Sequence, residues 1–418
     1  MFVGWALSAR IEKSKMKNVV LLTIDTLRQD ALGCYGNKKG LAPFIDSLQD
    51  KCIRFTKGQA SGPYTQAAFP GLLTSSYYLE YGKPKGLAPE RTLISEPLQK
   101  AEIVTAAFHS NPYICGFLGW NRGWDTFYDS MEDEVEPRIP YIRGPVINTK
   151  VRNWLLSHVK GGEYKPFFLW LHYMDIHEPY MPEKKYVDMA DPSVTISQNE
   201  MYSLFENTLL KRDTSDPAKV TLLRKLYDIH VREADSYIQE FFGTLEKLDI
   251  LKDTVVIITN DHGDEFNEHG GLSHDDKMYS ELIDMPLLIY NPSSNKGEVS
   301  DIVVSNIDIP PTIIHLFSLA PVEAFEGHSL LPLEDYPRKG VFGEAIDQRS
   351  QKGGNMDNDV YYYRAGDLKI IYRTNVDDWE VYDLKEDPKE LNNIATVSPE
   401  AGELKNKLLP RVRRWVSE

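Results

Sequence analysis

Two apolar segments that each end in metal-ligand side chains constrain this chain more than any other feature. Residues 19–24 read Val-Val-Leu-Leu-Thr-Ile and are followed by Asp25, and residues 254–259 read Thr-Val-Val-Ile-Ile-Thr and are followed one position later by Asp261 and His262. Short runs rich in β-branched residues predict buried strands. Because ligands and reactive groups collect outside the carboxyl ends of the strands in parallel α/β sheets, both segments are predicted to converge on one metal site.

The rest of the chain alternates between strand and helix patterns. Further strands are predicted at residues 103–108, 166–171 and 286–290, and a helix at residues 42–50. Apolar residues recur at helical spacing from Leu222 to Leu248, which predicts a long amphipathic helix before the strand at 254–259. This order predicts an α/β fold with a mostly parallel central sheet that helices flank on both faces.

The pattern changes near residue 334. Short strands are predicted at residues 360–364 and 369–373, joined by Ala-Gly-Asp, and a closing helix at residues 404–416. Such a short connection predicts an antiparallel pair. We therefore divide the chain into a catalytic domain at residues 17–334 and a small C-terminal subdomain at residues 335–418, with an antiparallel sheet and a helix.

Charge and cysteine content limit the partners. The formal net charge is −15 and the pI is ≈ 5.2, which argues against a nucleic-acid polymer because phosphate backbones are bound by clustered Lys and Arg. The three cysteines, Cys34, Cys52 and Cys115, are too few and too scattered for a disulfide framework or a Cys-rich zinc site. They indicate a reducing compartment.

The N-terminal residues carry no recognisable leader or anchor. The apolar patch at residues 2–7 is too short to span a membrane, and it lacks the apolar core of a signal peptide. Either Met1 or Met16 could be the true start. We expect a cytoplasmic protein without a transmembrane segment, and the sequence leaves its oligomeric state open.

Several stretches together resemble the sulfatase branch of the alkaline phosphatase superfamily. The matching stretches, in chain order, are residues 24–30, 33–37, 42–48, 54–55, 72–74, 172–180, 260–265, 268–270, His274, 382–384 and 387–388. Each is weak alone, but their order and spacing make a specific signal. The resemblance implies an alkaline phosphatase-like fold and a metal-dependent ester hydrolase.

The chain departs from this family at the nucleophile. Sulfatases carry Cys or Ser followed by x-Pro-x-Arg, which is oxidised to formylglycine, nine residues before the Thr of the Leu-Leu-Thr segment. Counting back from Thr74 gives Thr65, and residues 66–69 read Gln-Ala-Ala-Phe, so no formylglycine is expected. Threonine at this position resembles the phosphodiesterases, nucleotide pyrophosphatases and lipoteichoic-acid synthases of the superfamily, which attack phosphorus directly with the hydroxyl.

Thr65 is therefore the predicted nucleophile. Asp25, Asp261 and His262 are the predicted ligands of a divalent metal ion that Thr65 also touches, since coordination lowers the pKa of a hydroxyl. If Thr65 opens a helix, the first N–H groups of that helix would face the transferred anion. Sulfatases normally place a second Asp where this chain has Thr26, so we expect manganese, magnesium or zinc rather than calcium.

The outer site residues follow from the resemblance. His177 and His274 are expected to contact the ester oxygens or the leaving group, and either could be the general acid. Asp175, His177 and His274 could instead bind a second metal ion, although the spacing of Asp175 and His177 copies the sulfatase pattern more closely and favours one metal. Further candidates for substrate contact are Asn111, Lys277 and Arg28.

Structural interpretations of the same residues remain open. Asp25 could cap a helix over residues 26–34, and Thr65 could be only an N-cap. Arg28 could pair with Asp30 or another neighbouring carboxylate. His172 is expected to be a satisfied core histidine. The carboxylates expected to form a solvated acidic face are Asp264, Glu265 and Glu268.

Three functions are compatible with these patterns. The leading interpretation is hydrolysis or transfer of a phosphomonoester or phosphodiester through a covalent phospho-Thr65 intermediate. The second is a sulfuric ester hydrolase that works without formylglycine, and the third is a catalytically silent metal-binding homologue. Both enzymatic interpretations need a small anionic ester as substrate. Its leaving group is open, and the segment at residues 186–216 is a candidate lid.

Overall fold

A computed structural model describes residues 18–81, 86–131, 133–162, 164–274, 277–346, 359–374 and 376–416. The N-terminal apolar patch and the two alternative start residues lie outside the described residues. Within these ranges no helix has the length and apolar character needed to cross a membrane.

A large mixed sheet forms the centre of the described structure. The strands up to residue 305 are Asn18–Ile24 (β1), Cys52–Gln59 (β2), Val104–Phe108 (β3), Thr126–Tyr128 (β4), Phe167–Tyr173 (β5), Thr254–Asn260 (β6), Glu265–Phe266 (β7), Leu272–Ser273 (β8), Leu287–Tyr290 (β9) and Glu298–Ser305 (β10). The central sheet has the order β10-β2-β9-β6-β1-β5-β3-β4, and β7 pairs with β8 apart from it. The strands run parallel except β9, which is antiparallel to β2 and β6. The predicted mostly parallel sheet is confirmed.

Helices cover both faces of this sheet. The α-helices of the described residues are Pro43–Ser47 (α1), Thr65–Thr74 (α2), Ser95–Lys100 (α3), Gly144–His158 (α4), Lys184–Ala190 (α5), Gln198–Leu204 (α6), Pro217–Lys247 (α7), Ser280–Ile283 (α8), Ile309–Leu316 (α9) and Ala401–Val416 (α10). Side chains of β1 alternate between the two faces, as the pleat requires. Val20 and Leu22 join the apolar cluster of α4 and α7, whereas Val19 and Leu21 join that of α2, α3 and α9.

A second, antiparallel sheet follows residue 340. Its strands are Val341–Ile346 (β11), Asp359–Ala365 (β12), Leu368–Arg373 (β13) and Asp378–Asp383 (β14), paired in chain order. The predicted hairpin and closing helix are present as β12, β13 and α10, and α10 packs on β12 and β13. The division of the chain at residue 334 remains a prediction.

Some elements differ from the sequence-based expectation. Strands β2 and β10 were not predicted. Arg54 and Lys57 interrupt the apolar pattern of β2, which lies next to the edge strand β10. Residues 26–34 do not form the helix that Asp25 could have capped. They form two short 3-10 turns at Gln29–Ala31 and Gly33–Tyr35 instead.

Candidate active site

Three metal-ligand side chains meet where β1 and β6 end. These neighbouring strands are in parallel register, with Ile24 opposite Asn260, so Asp25 and Asp261 emerge side by side. One ligand atom each of Asp25, Asp261 and His262 lies within 4.8 Å of the other two. We call these three residues the DDH cluster. All three are fully buried.

The DDH cluster has the donor set of a divalent cation site. Asp25 Oδ1 and His262 Nε2 are buried and have no hydrogen-bond partner among the described residues. His262 Nδ1 lies 3.0 Å from the carbonyl oxygen of Gly263, which places the ring hydrogen on Nδ1 and leaves the lone pair of Nε2 free. Buried carboxylates and imidazoles without partners are costly. A divalent cation between them would satisfy both, so these residues fit a metal ion.

The two carboxylates of the DDH cluster have opposite pKa shifts. Burial and the charge of Asp25 raise the pKa of Asp261. Burial also acts to raise the pKa of Asp25, but the hydrogen bond with His172 and the charges of His177 and His262 hold it well below its usual range. Asp25 is therefore the more acidic of the two carboxylates.

Asp25 is held in place by neighbours on its second oxygen. Oδ2 accepts a hydrogen bond from Asn111 Nδ2 at 3.1 Å and lies 3.2 Å from His172 Nε2. The other ring nitrogen of His172 lies 2.9 Å from Thr23 Oγ1. His172 is thus a satisfied buried histidine, as predicted, but the sequence analysis missed that it also orients a candidate ligand. The signal was available, since His172 lies at the end of β5 opposite Thr23.

Thr65 lies beside the DDH cluster at the start of a helix. Helix α2 begins at Thr65, as predicted, and its N-cap is Tyr64, so Thr65 is not the N-cap. Thr65 Oγ1 lies 3.4 Å from Asp261 Oδ2 and 3.4 Å from Asn111 Nδ2. The first N–H groups of a helix have no intrahelical partner, so this position can bind an anion.

His177 and His274 face the same centre. Their ring centroids are 5.4 Å apart, and the ring of His274 lies 4.4 Å from that of His262. His177 Nδ1 lies 2.7 Å from the carbonyl oxygen of Glu178, and His274 Nδ1 lies 2.7 Å from Asp264 Oδ1. Burial acts to lower the pKa of His274, but the hydrogen bond with Asp264 and its charge raise it to about 9.

Three other candidates have partners outside the DDH cluster. Both carboxylate oxygens of Asp175 accept from the backbone N–H of Gly144, at 2.9 and 3.0 Å, at the start of α4. Arg28 and Lys277 each bind nearby carboxylates. Arg28 pairs with Asp30 and Glu268 at 2.7 Å each, and Lys277 Nζ pairs with Glu265 at 2.6 Å. Arg28 therefore pairs with Asp30 and another carboxylate, as its alternative interpretation predicted. Asp175 and Lys277 are not part of the DDH cluster.

The expected solvated acidic face is wrong for two of its three members. Asp264 and Glu265 are buried, and only Glu268 lies at the surface. Asp264 binds His274 and the hydroxyl of Tyr180. A sequence pattern could not separate these carboxylates from a solvated face, because it does not show that the fold buries them against Tyr180, His274 and Lys277.

Comparison with protein families gives two matches. The sulfatase family model matches residues 17–319, and the model for the C-terminal part of N-sulphoglucosamine sulphohydrolase matches residues 267–417. Among curated relatives, arylsulfatase K of Gallus gallus is 30% identical and the alignment covers 95% of this chain and 82% of the relative. An N-acetylglucosamine-6-O-sulfatase of Bacteroides thetaiotaomicron is 22% identical, with 92% and 83% covered.

Solved structures share the fold at low sequence identity. A structure in complex with its substrate D-glucosamine-2-N,6-O-disulfate has a TM-score of 0.80 at 20% identity, covering 97% of this chain and 99% of that one. The phosphonate monoester hydrolase of Agrobacterium radiobacter has a TM-score of 0.76 at 18% identity, covering 96% of both chains. Proteins that act on phosphorus and on sulfur therefore share this architecture.

Proposed function

The chain belongs to the sulfatase family, and from that premise we propose that it hydrolyses a small phosphodiester by attack of Thr65 Oγ1 on phosphorus. The attack breaks the P–O bond to the leaving alcohol and forms a covalent phospho-Thr65 intermediate, which water then hydrolyses to regenerate the Thr65 hydroxyl. Members of this family are ester hydrolases that use a metal ion, and this chain is an ester hydrolase. One observation carries the proposal. A threonine hydroxyl, followed by Gln-Ala-Ala-Phe, lies beside the DDH cluster at the first residue of α2.

The DDH cluster would hold the metal ion through Asp25, Asp261 and His262 Nε2. A divalent cation bound there supplies Lewis-acid chemistry to an ester oxygen and to a hydroxyl in contact with it. Two carboxylates and one imidazole suit manganese, magnesium or zinc better than calcium, which takes six to eight oxygen ligands.

The residues around Thr65 support its proposed role as nucleophile. Asn111 Nδ2 is within reach of both Thr65 Oγ1 and Asp25 Oδ2, so this one amide holds the hydroxyl against the DDH cluster. The free N–H groups at the start of α2 would face the negative charge that develops on the transferred group. His177 and His274 lie on the remaining side and would contact the ester oxygens or the leaving group.

The charge of the site favours an ester with a single negative charge. Arg28 and Lys277 are the two basic residues predicted from the sequence as candidates for substrate contact, and both are paired with carboxylates outside the DDH cluster. The positive charge of one metal ion and of histidines then balances the negative charges of Asp25, Asp261 and the substrate. A phosphodiester carries one negative charge, whereas a phosphomonoester carries nearly two at neutral pH. We therefore place the diester ahead of the monoester.

A sulfuric ester is the second candidate, and the relatives favour it. A sulfate monoester also carries a single negative charge, and the curated relatives named above are sulfatases. The same attack by Thr65 would then transfer a sulfuryl group. The geometry of the site is compatible with both reactions.

The deciding experiment compares matched p-nitrophenyl esters. Metal-stripped protein is given manganese, magnesium, zinc or calcium, and turnover of bis-p-nitrophenyl phosphate, p-nitrophenyl phosphate and p-nitrophenyl sulfate is measured. We expect the diester to be preferred. A preference for the sulfate would overturn the choice of phosphorus and support the second candidate.

The role of Thr65 needs its own variants. Thr65→Ala is expected to reduce kcat at least about 1,000-fold, whereas Thr65→Ser, which keeps a hydroxyl, should retain measurable turnover. The matched control is Thr74→Ala in the last turn of the same helix, where the partners of Thr74 Oγ1 among the described residues are Pro70 O and Ser76 Oγ. Full metal-dependent turnover by Thr65→Ala would exclude Thr65 as the nucleophile for every ester in the panel.

A further inference from the structure

The carboxylate of Asp264 contacts the ring of His274, which lies next to His262 of the DDH cluster. We propose that Asp264 is a positioning residue, which acts on catalysis through His274 by holding its ring with Nε2 directed at the ester. This inference rests on the proposed function only in assuming that His274 contacts the substrate. It does not depend on whether phosphorus or sulfur is attacked.

The hydrogen bond between these residues fixes which nitrogen is available. His274 Nδ1 lies 2.7 Å from Asp264 Oδ1, a short distance for a charge-assisted hydrogen bond. A carboxylate only accepts, so Nδ1 carries the hydrogen in either protonation state of the ring. Nε2 is then the nitrogen that can contact an ester, and the ring that carries it lies 4.4 Å from the ring of His262 in the DDH cluster.

Asp264 is itself held rigidly. Its second oxygen, Oδ2, accepts a hydrogen bond from the hydroxyl of Tyr180, and both residues are buried. The ring of Tyr180 packs edge-on against Tyr227 and tilted against Phe266, so the donor cannot easily swing away. Both carboxylate oxygens therefore have a fixed partner, which is the arrangement expected of a residue that orients another.

The backbone around His274 is supported separately. Arg212 donates from one guanidinium nitrogen to Leu272 O at 2.7 Å and from another to His274 O at 3.2 Å. Arg212 comes from the segment between α6 and α7, which is distant in sequence from Asp264. Because these bonds do not involve Asp264, removing its carboxylate is expected to free the His274 ring without displacing the loop that carries it.

The neighbouring buried carboxylate shows a different pattern. Glu265 Oε1 accepts from the backbone N–H groups of His269 and Gly271, both at 2.8 Å, and so supports the fold of the loop. The hydrogen bonds found for the Asp264 carboxylate go to two side chains, Tyr180 and His274. A residue that binds side chains rather than backbone has little part in shaping the loop, so its contribution is to the orientation of His274.

A double-mutant cycle tests the proposal with the ester that is turned over fastest in the panel above. Asp264→Ala is expected to lower kcat about 30- to 100-fold with KM changed less than about threefold, since misplacing a reacting group by about 1 Å can cost about 100-fold. Asp264→Asn keeps an acceptor for Nδ1–H and should recover most of the loss. In a His274→Ala background, Asp264→Ala should lower kcat no further than about twofold.

Several results would overturn the proposal. An equal loss from Asp264→Ala with and without His274 would show that Asp264 acts on the fold or on another group. The matched control is Asp235→Ala, which removes a buried carboxylate whose oxygens accept from Phe44 N and Ile45 N. It is expected to lower Tm and leave the kcat of both backgrounds unchanged, and a comparable loss of kcat would make the Asp264 effect unspecific.

A spectroscopic measurement keeps the proposal falsifiable if Asp264→Ala fails to fold. In zinc- or magnesium-loaded protein labelled with 15N-histidine, the Nδ1–H proton of His274 should be a slowly exchanging downfield resonance, assigned by its loss in His274→Gln. Absence of this resonance from the wild-type protein would overturn the proposal. Because this readout needs no turnover, it separates failure of the Asp264 inference from failure of the Thr65 mechanism.

Discussion

Replacing His172 with asparagine is expected to weaken metal binding about 30-fold. His172 Nε2 lies 3.2 Å from Asp25 Oδ2, and Asn111 Nδ2 is the other donor to that oxygen. These two contacts turn the unpartnered Oδ1 of Asp25 toward Asp261 and His262. An asparagine amide can reach the position of the histidine Nδ1, near Thr23, but not that of Nε2. The variant therefore removes one of the two donors that orient Asp25.

The magnitude follows from the type of contact that is lost. A hydrogen bond to a charged group contributes about 1.5–3 kcal/mol, and the loss of an outer-shell partner typically weakens metal affinity about 10- to 100-fold. A value of about 2 kcal/mol lies within both ranges and corresponds to about 30-fold in Kd. Glutamine can place its amide near the position of Nε2, so His172→Gln should lose less than His172→Asn.

The assay is competition for zinc between the metal-stripped protein and a fluorescent chelator. His109→Asn is the matched control, because His109 is also fully buried and stacks on the same Trp170. Neither ring nitrogen of His109 has a hydrogen-bond partner among the described residues, so its Kd should stay within about twofold of wild type. An unchanged Kd for His172→Asn, or equal weakening by both variants, would refute the argument that His172 orients Asp25.

Three further predictions concern stability. Burial raises the pKa of Glu344 from 4.5 to about 8, so the stability contributed by its protonated form is fully present below pH 4.5 and is lost as pH rises through about 8. Ionisation of Glu344 lowers the free energy of unfolding by up to about 5 kcal/mol. Glu344→Gln should remove this pH-dependent loss and so raise Tm at pH 9 but not at pH 4, and an equal change in Tm at both pH values would contradict the pKa shift. Lys369→Met leaves Glu390 buried without its cation and should cost about 3 kcal/mol in urea unfolding, whereas Lys385→Met at the surface should cost almost nothing. A divalent metal at 100 times its Kd should stabilise the protein by about 2.7 kcal/mol, and Asp261→Asn should abolish that rise in Tm; an unchanged rise would remove Asp261 from the metal site.

The strands and the main helices could be predicted because their signals are local. The apolar runs of β1, β5 and β6 and the helical spacing of α7 are visible in the sequence, and the structure has all four elements. Strands β2 and β10 could not be predicted, because they lie at the side of the sheet where polar residues interrupt the apolar pattern. Their place depends on pairing with each other and, for β2, with β9.

The candidate site shows the same division. Asp25, Asp261 and His262 were predicted to converge because the ends of parallel strands share one edge of a sheet, and they do lie together. The partners of the outer residues were not predictable. Lys277 binds Glu265 in the same loop, while Asp175 binds the first residue of α4. The first pairing depends on the fold of one loop and the second on the packing of separate segments, and neither periodicity nor spacing records either of them.

The sequence by itself determined the α/β class and the two strands that carry the DDH cluster, and it carries the prediction that Thr65 replaces the expected nucleophile. Each of these rests on residues close together in the chain or on strand order. Only the tertiary structure decided that Asp264 is a buried partner of His274 and that Arg28 is paired away from the cluster. A carboxylate or guanidinium can be solvated or paired, and the choice here also depends on Tyr180 for Asp264 and on Glu268 for Arg28, which folding brings from distant segments.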